Sequence, residues 1–180
     1  MRPQFRRRLE QKTDYNSRLA LVKSGKPRMV VRVSLSHTKI QFVKWNVNGD
    51  TTIATATTMD LPEFGWKSPT GNIPAAYLAG VLAGVRAKEA GVKEAVLDIG
   101  LAASTPGNRI YAALKGAIDA GVVIAHGAEM LPSEDRINGK HIIAWASAAP
   151  KPSFSKYGVP AHDLPKHIAD VKTKILSKKV

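Results

Sequence analysis

Two four-residue words, Glu89-Ala90-Gly91-Val92 and Asp119-Ala120-Gly121-Val122, repeat one arrangement: the last turn of a helix, a glycine, and an apolar residue leading into a strand. Glycine at that point supplies the left-handed conformation that closes a helix. Ahead of the first word, Ile73, Tyr77, Leu78, Val81, Leu82 and Val85 recur on one helical face, with Asn72 placed as cap and Pro74 in the first turn. Ahead of the second, Ile110, Tyr111, Leu114 and Ile118 do the same from about Asn108. The apolar runs 95–99 and 122–124 suit buried strands. Helix, glycine stop, strand, twice over, restricts the chain to an α/β layer architecture on a mixed sheet. Gly80 and Gly84 have small-xxx-small spacing, from which we expect close packing of that helix on the sheet.

Upstream the pattern is β. Residues 29–34 and 40–47 are rich in Val, Ile, Phe and Trp, and Asn48-Gly49-Asp50 is a hairpin turn into residues 51–58. The expected fold is therefore α/β: a mixed sheet with an antiparallel meander followed by two helix–strand units. After Ala125 regularity fades. Residues 130–136 read as a short capped helix, and residues 140–148 fit either a helix or a strand. Pro150, Pro152, Pro160 and Pro165 break up an extended tail around Phe154, Lys156 and Tyr157, and a basic helix spans roughly residues 163–176. Three regions are expected: a basic N-terminal arm (1–28), an α/β core domain (29–125) and a C-terminal extension (126–180).

Charge separates these regions. Residues 1–32 hold ten Lys or Arg against two acids, residues 150–180 seven against two, and residues 33–149 ten of each. The ends thus carry +8 and +5, the whole of the net +13, around a neutral middle. Basic ends on a neutral core call for a polyanionic partner. No run of 18 apolar residues is present, since the most hydrophobic stretch stops at Arg86, so no membrane partner is expected. The basic N-terminus lacks the apolar segment of a secretory signal. The absence of cysteine excludes disulfides and thiol chemistry and is consistent with a reducing cytoplasm.

Four stretches are candidate contact surfaces. In the arm, Arg2, Arg6, Arg7, Arg8, Lys12, Arg18, Lys23, Lys26 and Arg28 interleave with Phe5 and Tyr15, so rings can stack on unpaired bases while cations meet phosphates. Tyr15, Leu19 and Val22 recur at helical spacing there. On the first β connection, Ser34, Ser36, His37, Thr38 and Lys39, with Gln41 beyond, can bond ribose and base edges; an ordinary polar turn has the same composition. The loop 61–72 displays Phe64, Trp66 and Lys67, and the Trp66 ring either tucks into the core or stacks on a partner. The small-residue loop before Asn108 could offer backbone N–H groups to a phosphate at the helix start.

Catalytic patterns are missing: there is no Walker, G-x-G-x-x-G or H-E-x-x-H signature, and His37, His126, His141, His162 and His167 lack zinc-ligand spacing. Asp98 at a strand end could serve a metal-dependent nuclease, with Asp60 and Asp119 as its only obvious companions. An enzyme and a cofactor are therefore not expected. The alternatives are that nuclease or a general RNA-binding protein.

The blocks RRRLEQKTDYNSRLALVKSGKPRMVVR, then Ser34, His37 and Gln41, then GWKSPTGNIPAAYLAGVLAG, EAVLDIG and NRIYAALKGAIDAG, in this order, resemble the archaeal type of the 5S-rRNA-binding large-subunit ribosomal protein, number eighteen in the bacterial naming. The resemblance implies an α/β domain related to the ribonuclease H-like arrangement without its catalytic carboxylates. It also implies a structural role on the cytoplasmic ribosome, docking 5S rRNA onto the large rRNA in the central protuberance beside neighbouring ribosomal proteins. By position it assigns RNA contacts to Arg2, Arg6, Arg7, Arg8, Lys12, Tyr15, Arg18 and Arg28. It further assigns Arg32, Ser34, His37 and Gln41 on the sheet, Trp66, Lys67, Thr70, Gly71 and Asn72 in the tryptophan loop, and Thr105, Gly107 and Arg109 before the second helix. The tail after Pro150 is expected to wrap on RNA or a neighbouring protein.

Overall fold

A computed structural model describes residues 4–148 and 158–177. Five strands, β1 (Arg28–Val33), β2 (Thr38–Lys44), β3 (Thr51–Thr57), β4 (Glu94–Asp98) and β5 (Val123–Ile124), form one sheet in the order β3-β2-β1-β4-β5. The first three pair antiparallel, whereas β4 lies parallel to both β1 and β5, so the sheet is mixed as expected. β2 stops at Lys44 and not at Val47: its pairing with β3 ends at Lys44↔Thr51, and a bulge at Phe42/Val43 shifts the register just before that end. Bulges raise the local twist of a ladder. Trp45 and Val47 stand on the hairpin, 51% and 81% exposed.

Two helices cover one face of the sheet. α3 (Ile73–Glu89) starts where the Asn72 side chain accepts the Ala75 N–H at 2.8 Å, and α4 (Arg109–Asp119) where Asn108 accepts the N–H groups of Ile110 and Tyr111 at 2.9 and 3.1 Å. Both end at the predicted glycines, Gly91 and Gly121, each at positive φ. Met29, Val31, Ile40, Phe42, Ala54 and Ala56 turn toward these helices and are buried. α3 is buried nearly all round, since α4 lies beside it.

The α3 glycines serve that helix–helix contact, which corrects the expectation of a helix–sheet contact. A Cβ on Gly80 would collide with the Ala113 carbonyl, one on Gly116 with that of Tyr77, and one on Gly84 would come within 2.6 Å of the Ala120 Cβ. Small residues on both helices let the backbones approach.

Beyond the sheet, residues 128–130 form a 3-10 turn and Glu134–Ile137 a short helix, α5. Residues 140–148, open between helix and strand by sequence, are helix α6 (Lys140–Ala148). The last helix, α7 (Leu164–Ser177), returns to the core: Leu164, Ile168, Val171 and Ile175 recur at helical spacing and are buried in the same cluster as α3. At α7, Lys172 donates to the Tyr77 hydroxyl at 2.6 Å, which donates to Asp119 at 2.5 Å. Burial, together with this bond to Asp119, pushes the Tyr77 phenol above its ordinary range, keeping it a donor. The expected extended tail around Phe154, Lys156 and Tyr157 lies outside the described residues.

Among the described residues the opposite sheet face carries no core helix. The N-terminal segment crosses it, with α1 (Arg6–Leu9) and α2 (Tyr15–Lys23) flanking a groove of about 800 Å³.

Candidate nucleic-acid interface

Strand alternation places Arg28, Val30 and Arg32 on the face away from the helices. Their cross-strand partners there are Val43, Gln41 and Lys39 on β2. This face floors the groove, to which the arm adds Arg7, Lys12 and Arg18. Five cations and three carboxylates (Asp14, Asp50 and Asp98) line it, leaving a cationic excess.

These charges form a chain. Arg18 bonds Asp50 at 2.7 Å, Arg28 bonds Asp50 at 2.6 Å and Asp98 at 2.7 Å, and Arg32 bonds Asp98 at 3.0 Å. Exposure grades along it: the side chains of Arg28 and Asp98 are 5% and 8% exposed, that of Arg32 50%. The buried centre needs every partner, because an unpaired buried charge is costly. Arg28 is thus an internal anchor that holds Asp50 and Asp98, while Arg18 and Arg32 stand at the solvent ends.

The arm is attached by polar contacts. Among the described residues neither α1 nor α2 buries a side chain. Asp14 caps α2, accepting from the Asn16 N–H at 2.9 Å and from the Ser17 hydroxyl. Besides Arg18–Asp50, Lys26 meets Glu94 at 2.5 Å. Arg6 and Lys12 flank Glu10 and hold its carboxyl below the usual range. Tyr15 lies against Phe5 with ring centroids 5.0 Å apart, so this aromatic pair is formed within the arm. Arg6, Arg7, Arg8 and Lys12 are exposed, and Arg2 lies outside the described residues.

A second cluster joins candidates from three sequence-distant stretches. The Arg109 guanidinium donates to the carbonyls of Ser34 and Gly71, both at 3.0 Å. Thr70 donates to the Ser36 carbonyl at 2.9 Å and lies 3.3 Å from His37 Nδ1. A Cβ on Gly71 would come within 2.9 Å of the Leu35 carbonyl, so only glycine allows this approach. Ser34, His37, Thr70, Gly71 and Arg109 therefore make one platform at the end of the sheet, with Leu35 displayed at 96% exposure.

Other candidates turn inward. Trp66 is 3% exposed and stacks on His167 of α7, centroids 5.1 Å apart, resolving the open choice in favour of the core. His167 Nε2 accepts the Lys67 N–H at 3.2 Å, and burial, with Lys174 and Lys67 nearby, lowers the imidazole's pKa against the pull of Asp170. The neutral ring is the form able to accept. Lys67 itself stays exposed. Asn72 is engaged as the α3 cap. In the loop before α4, the N–H of Thr105 goes to Ala103, that of Gly107 to Met130, and those of Ile110 and Tyr111 to Asn108. The helix start is thereby closed by its own chain, and the Thr105 side chain remains exposed.

The carboxylates considered for a nuclease are committed elsewhere. Asp98 accepts from Arg28, Arg32 and the Gly100 N–H, and Asp119 from Tyr77. For Asp60 burial acts upward, but bonds from Thr57 and Arg86 prevail and lower its pKa. Among the described residues no three His, Asp or Glu side chains are grouped to hold a metal ion, and no helix is long and apolar enough to cross a membrane.

Sequence reasoning missed Asp50 and Asp98 as organisers of the arginines, and Lys39 as the exposed cation opposite Arg32. The two-residue period of Arg28-Met29-Val30-Val31-Arg32 was the available signal that Arg28 and Arg32 share a face.

A mixed α/β domain whose uncovered sheet face is lined with arginines and crossed by a basic arm is the architecture of a polyanion-binding protein. The chain matches the family described as ribosomal large subunit proteins 60S L5, and 50S L18, over residues 1–94 and 85–127. It is 49% identical over 172 residues to large ribosomal subunit protein uL18 of Haloarcula marismortui, covering 96% of this chain and 91% of that one. The uL18 protein of Haloferax mediterranei is 52% identical over 167 residues, covering 93% and 90%, and that of Halobacterium salinarum 49% over 162 residues, covering 88% of each. The chain belongs to this family of large-subunit ribosomal proteins.

Proposed function

We propose that the chain is a structural, non-catalytic component of the large ribosomal subunit that binds 5S rRNA and helps dock it onto the large rRNA. The observation that carries this is the arginine-lined open sheet face, continuous with a basic arm, in a chain that belongs to the ribosomal family. Arg6, Arg7, Arg8, Lys12 and Arg18 meet phosphates from the arm. Arg32, Gln41, Ser34, His37 and Thr70 face RNA from the sheet and the platform, and Lys67 and Thr105 reach it from the flanking loops. Arg28, Trp66, Gly71, Asn72, Gly107 and Arg109 shape this surface from within. The arm (1–28), core (29–125) and extension (126–180) divide the work into gripping, presenting and reaching neighbouring ribosomal proteins.

The test is competition. A complex with labelled 5S rRNA is challenged with unlabelled 5S rRNA or with an equal mass of unrelated structured RNA. Displacement by 5S rRNA at much lower concentration supports the reading. Equal displacement by both identifies a general RNA-binding protein instead, and cleavage of the RNA in magnesium would revive the nuclease alternative.

A further inference from the structure

Arg32 is held in an unusual pose for a phosphate ligand. Its Nη1 donates to the carbonyls of Val31 and Asp98, both at 2.9 Å, and its Nη2 donates to Asp98 Oδ1 at 3.0 Å. The Nη1–Nη2 edge, one of the two on which a pair of phosphate oxygens could dock, is therefore filled by the backbone and side-chain oxygens of Asp98. The same carboxylate offsets the charge.

The flat faces of the guanidinium are disposed differently. A Cβ built on Gly100 would lie 2.8 Å from Arg32 Cζ, 2.9 Å from Nη2 and 3.1 Å from Nη1. An edge-on approach would bring a nitrogen nearest; carbon nearest, with both nitrogens slightly farther, is the signature of a point over the plane. Gly100 thus backs one face closely, and its φ of +65° is a conformation that glycine adopts readily. The Arg32 side chain is nonetheless half exposed and lines the groove.

A guanidinium with a fixed edge and a glycine behind it is a rigid stacking surface. We infer that Arg32 is the platform on which an unpaired nucleobase stacks in this groove, with Gln41 placed to bond the base edge. This rests on the RNA-binding reading and deepens it: the groove takes a single-stranded, splayed-out nucleotide and not the backbone of a helix. Gln41 is the diagonal neighbour of Arg32 on the same sheet face and is half-buried, and its amide can both donate and accept. Val30 adds apolar floor beside them.

The test compares the full chain with Arg32→Ala, Arg32→Lys and, as a phosphate-contact control, Arg7→Ala. Affinity for 5S rRNA is measured across a salt series, and melting curves establish that each variant is folded. Stacking predicts that Arg32→Ala weakens binding about tenfold or more with an unchanged log–log salt slope, and that Arg32→Lys loses as much, because it keeps the charge but not the plane. Arg7→Ala should reduce the slope by about one. The inference is overturned if Arg32→Lys binds like the unsubstituted chain, if Arg32→Ala lowers the slope by about one, or if neither substitution weakens binding. Failure of the unsubstituted chain to bind 5S rRNA would instead refute the underlying RNA reading, and is thereby distinguished from a failure confined to the Arg32 variants.

Discussion

Replacing Asp98 by alanine tests the arginine chain at its buried centre. Asp98 accepts from Arg28 at 2.7 Å and Arg32 at 3.0 Å, and Arg28 is almost inaccessible to water. Removing one partner of a buried ion pair costs about 3–5 kcal/mol, because the remaining charge is stranded. Here Arg28 keeps Asp50 at 2.6 Å, which places the expected loss at the low end, about 3 kcal/mol. For a domain of this size that corresponds to a melting temperature lower by roughly 6–12 °C. The assay is thermal unfolding followed by circular dichroism. The double substitution Arg28→Met with Asp98→Leu removes both buried charges and should recover most of the loss, since apolar replacement of a whole buried pair is often neutral or better. An Asp98→Ala variant that melts within about 2 °C of the parent would show that the pair is not a stability element, and the reasoning about Arg28 as an internal anchor would fail with it.

Two further outcomes are expected. Deleting residues 1–12 should weaken 5S rRNA binding roughly tenfold or more while shifting the melting temperature by no more than about 2 °C, because residues 4–12 are all exposed; equal loss of both would place the arm inside the cooperative fold. His167, whose pKa is lowered from 6.5 by burial, takes up its proton more readily in the unfolded chain, so its contribution is fully present above pH 6.5 and declines as pH falls below it, levelling off under the folded value. Melting curves of His167→Gln across that range should show a smaller decline than the parent, the remainder including His141, which is lowered in the same direction; an unchanged pH profile would contradict the assignment.

What the sequence discloses is local, and what it hides is long-range. Gly91, Gly121, Asn72 and Asn108 act within a few residues of themselves, so the ends of α3 and α4 are readable from the chain. The Asn48-Gly49-Asp50 turn announces the hairpin for the same reason, although the bulge in β2 and the point where the strand ends depend on its pairing with β3. Trp66 could not be assigned by composition, because its stacking partner His167 is about a hundred residues away on a helix whose apolar stripe shows that it docks but not against which part of the chain. Arg109 reads as a surface cation until the fold brings the carbonyls of Ser34 and Gly71 to it. Asp98 reads as a lone carboxylate until β4 is laid beside β1 and the two arginines of that strand meet it.

The salt dependence of 5S rRNA binding by the full chain addresses the central claim most directly. If Arg6, Arg7, Arg8, Lys12 and Arg18 each neutralise a phosphate, the log–log slope should be about −3.5 to −4.5, and affinity should fall roughly 100- to 500-fold between 50 and 200 mM salt. A slope near zero, or no measurable complex at 50 mM salt, would contradict an account in which the basic arm and the open sheet face hold RNA.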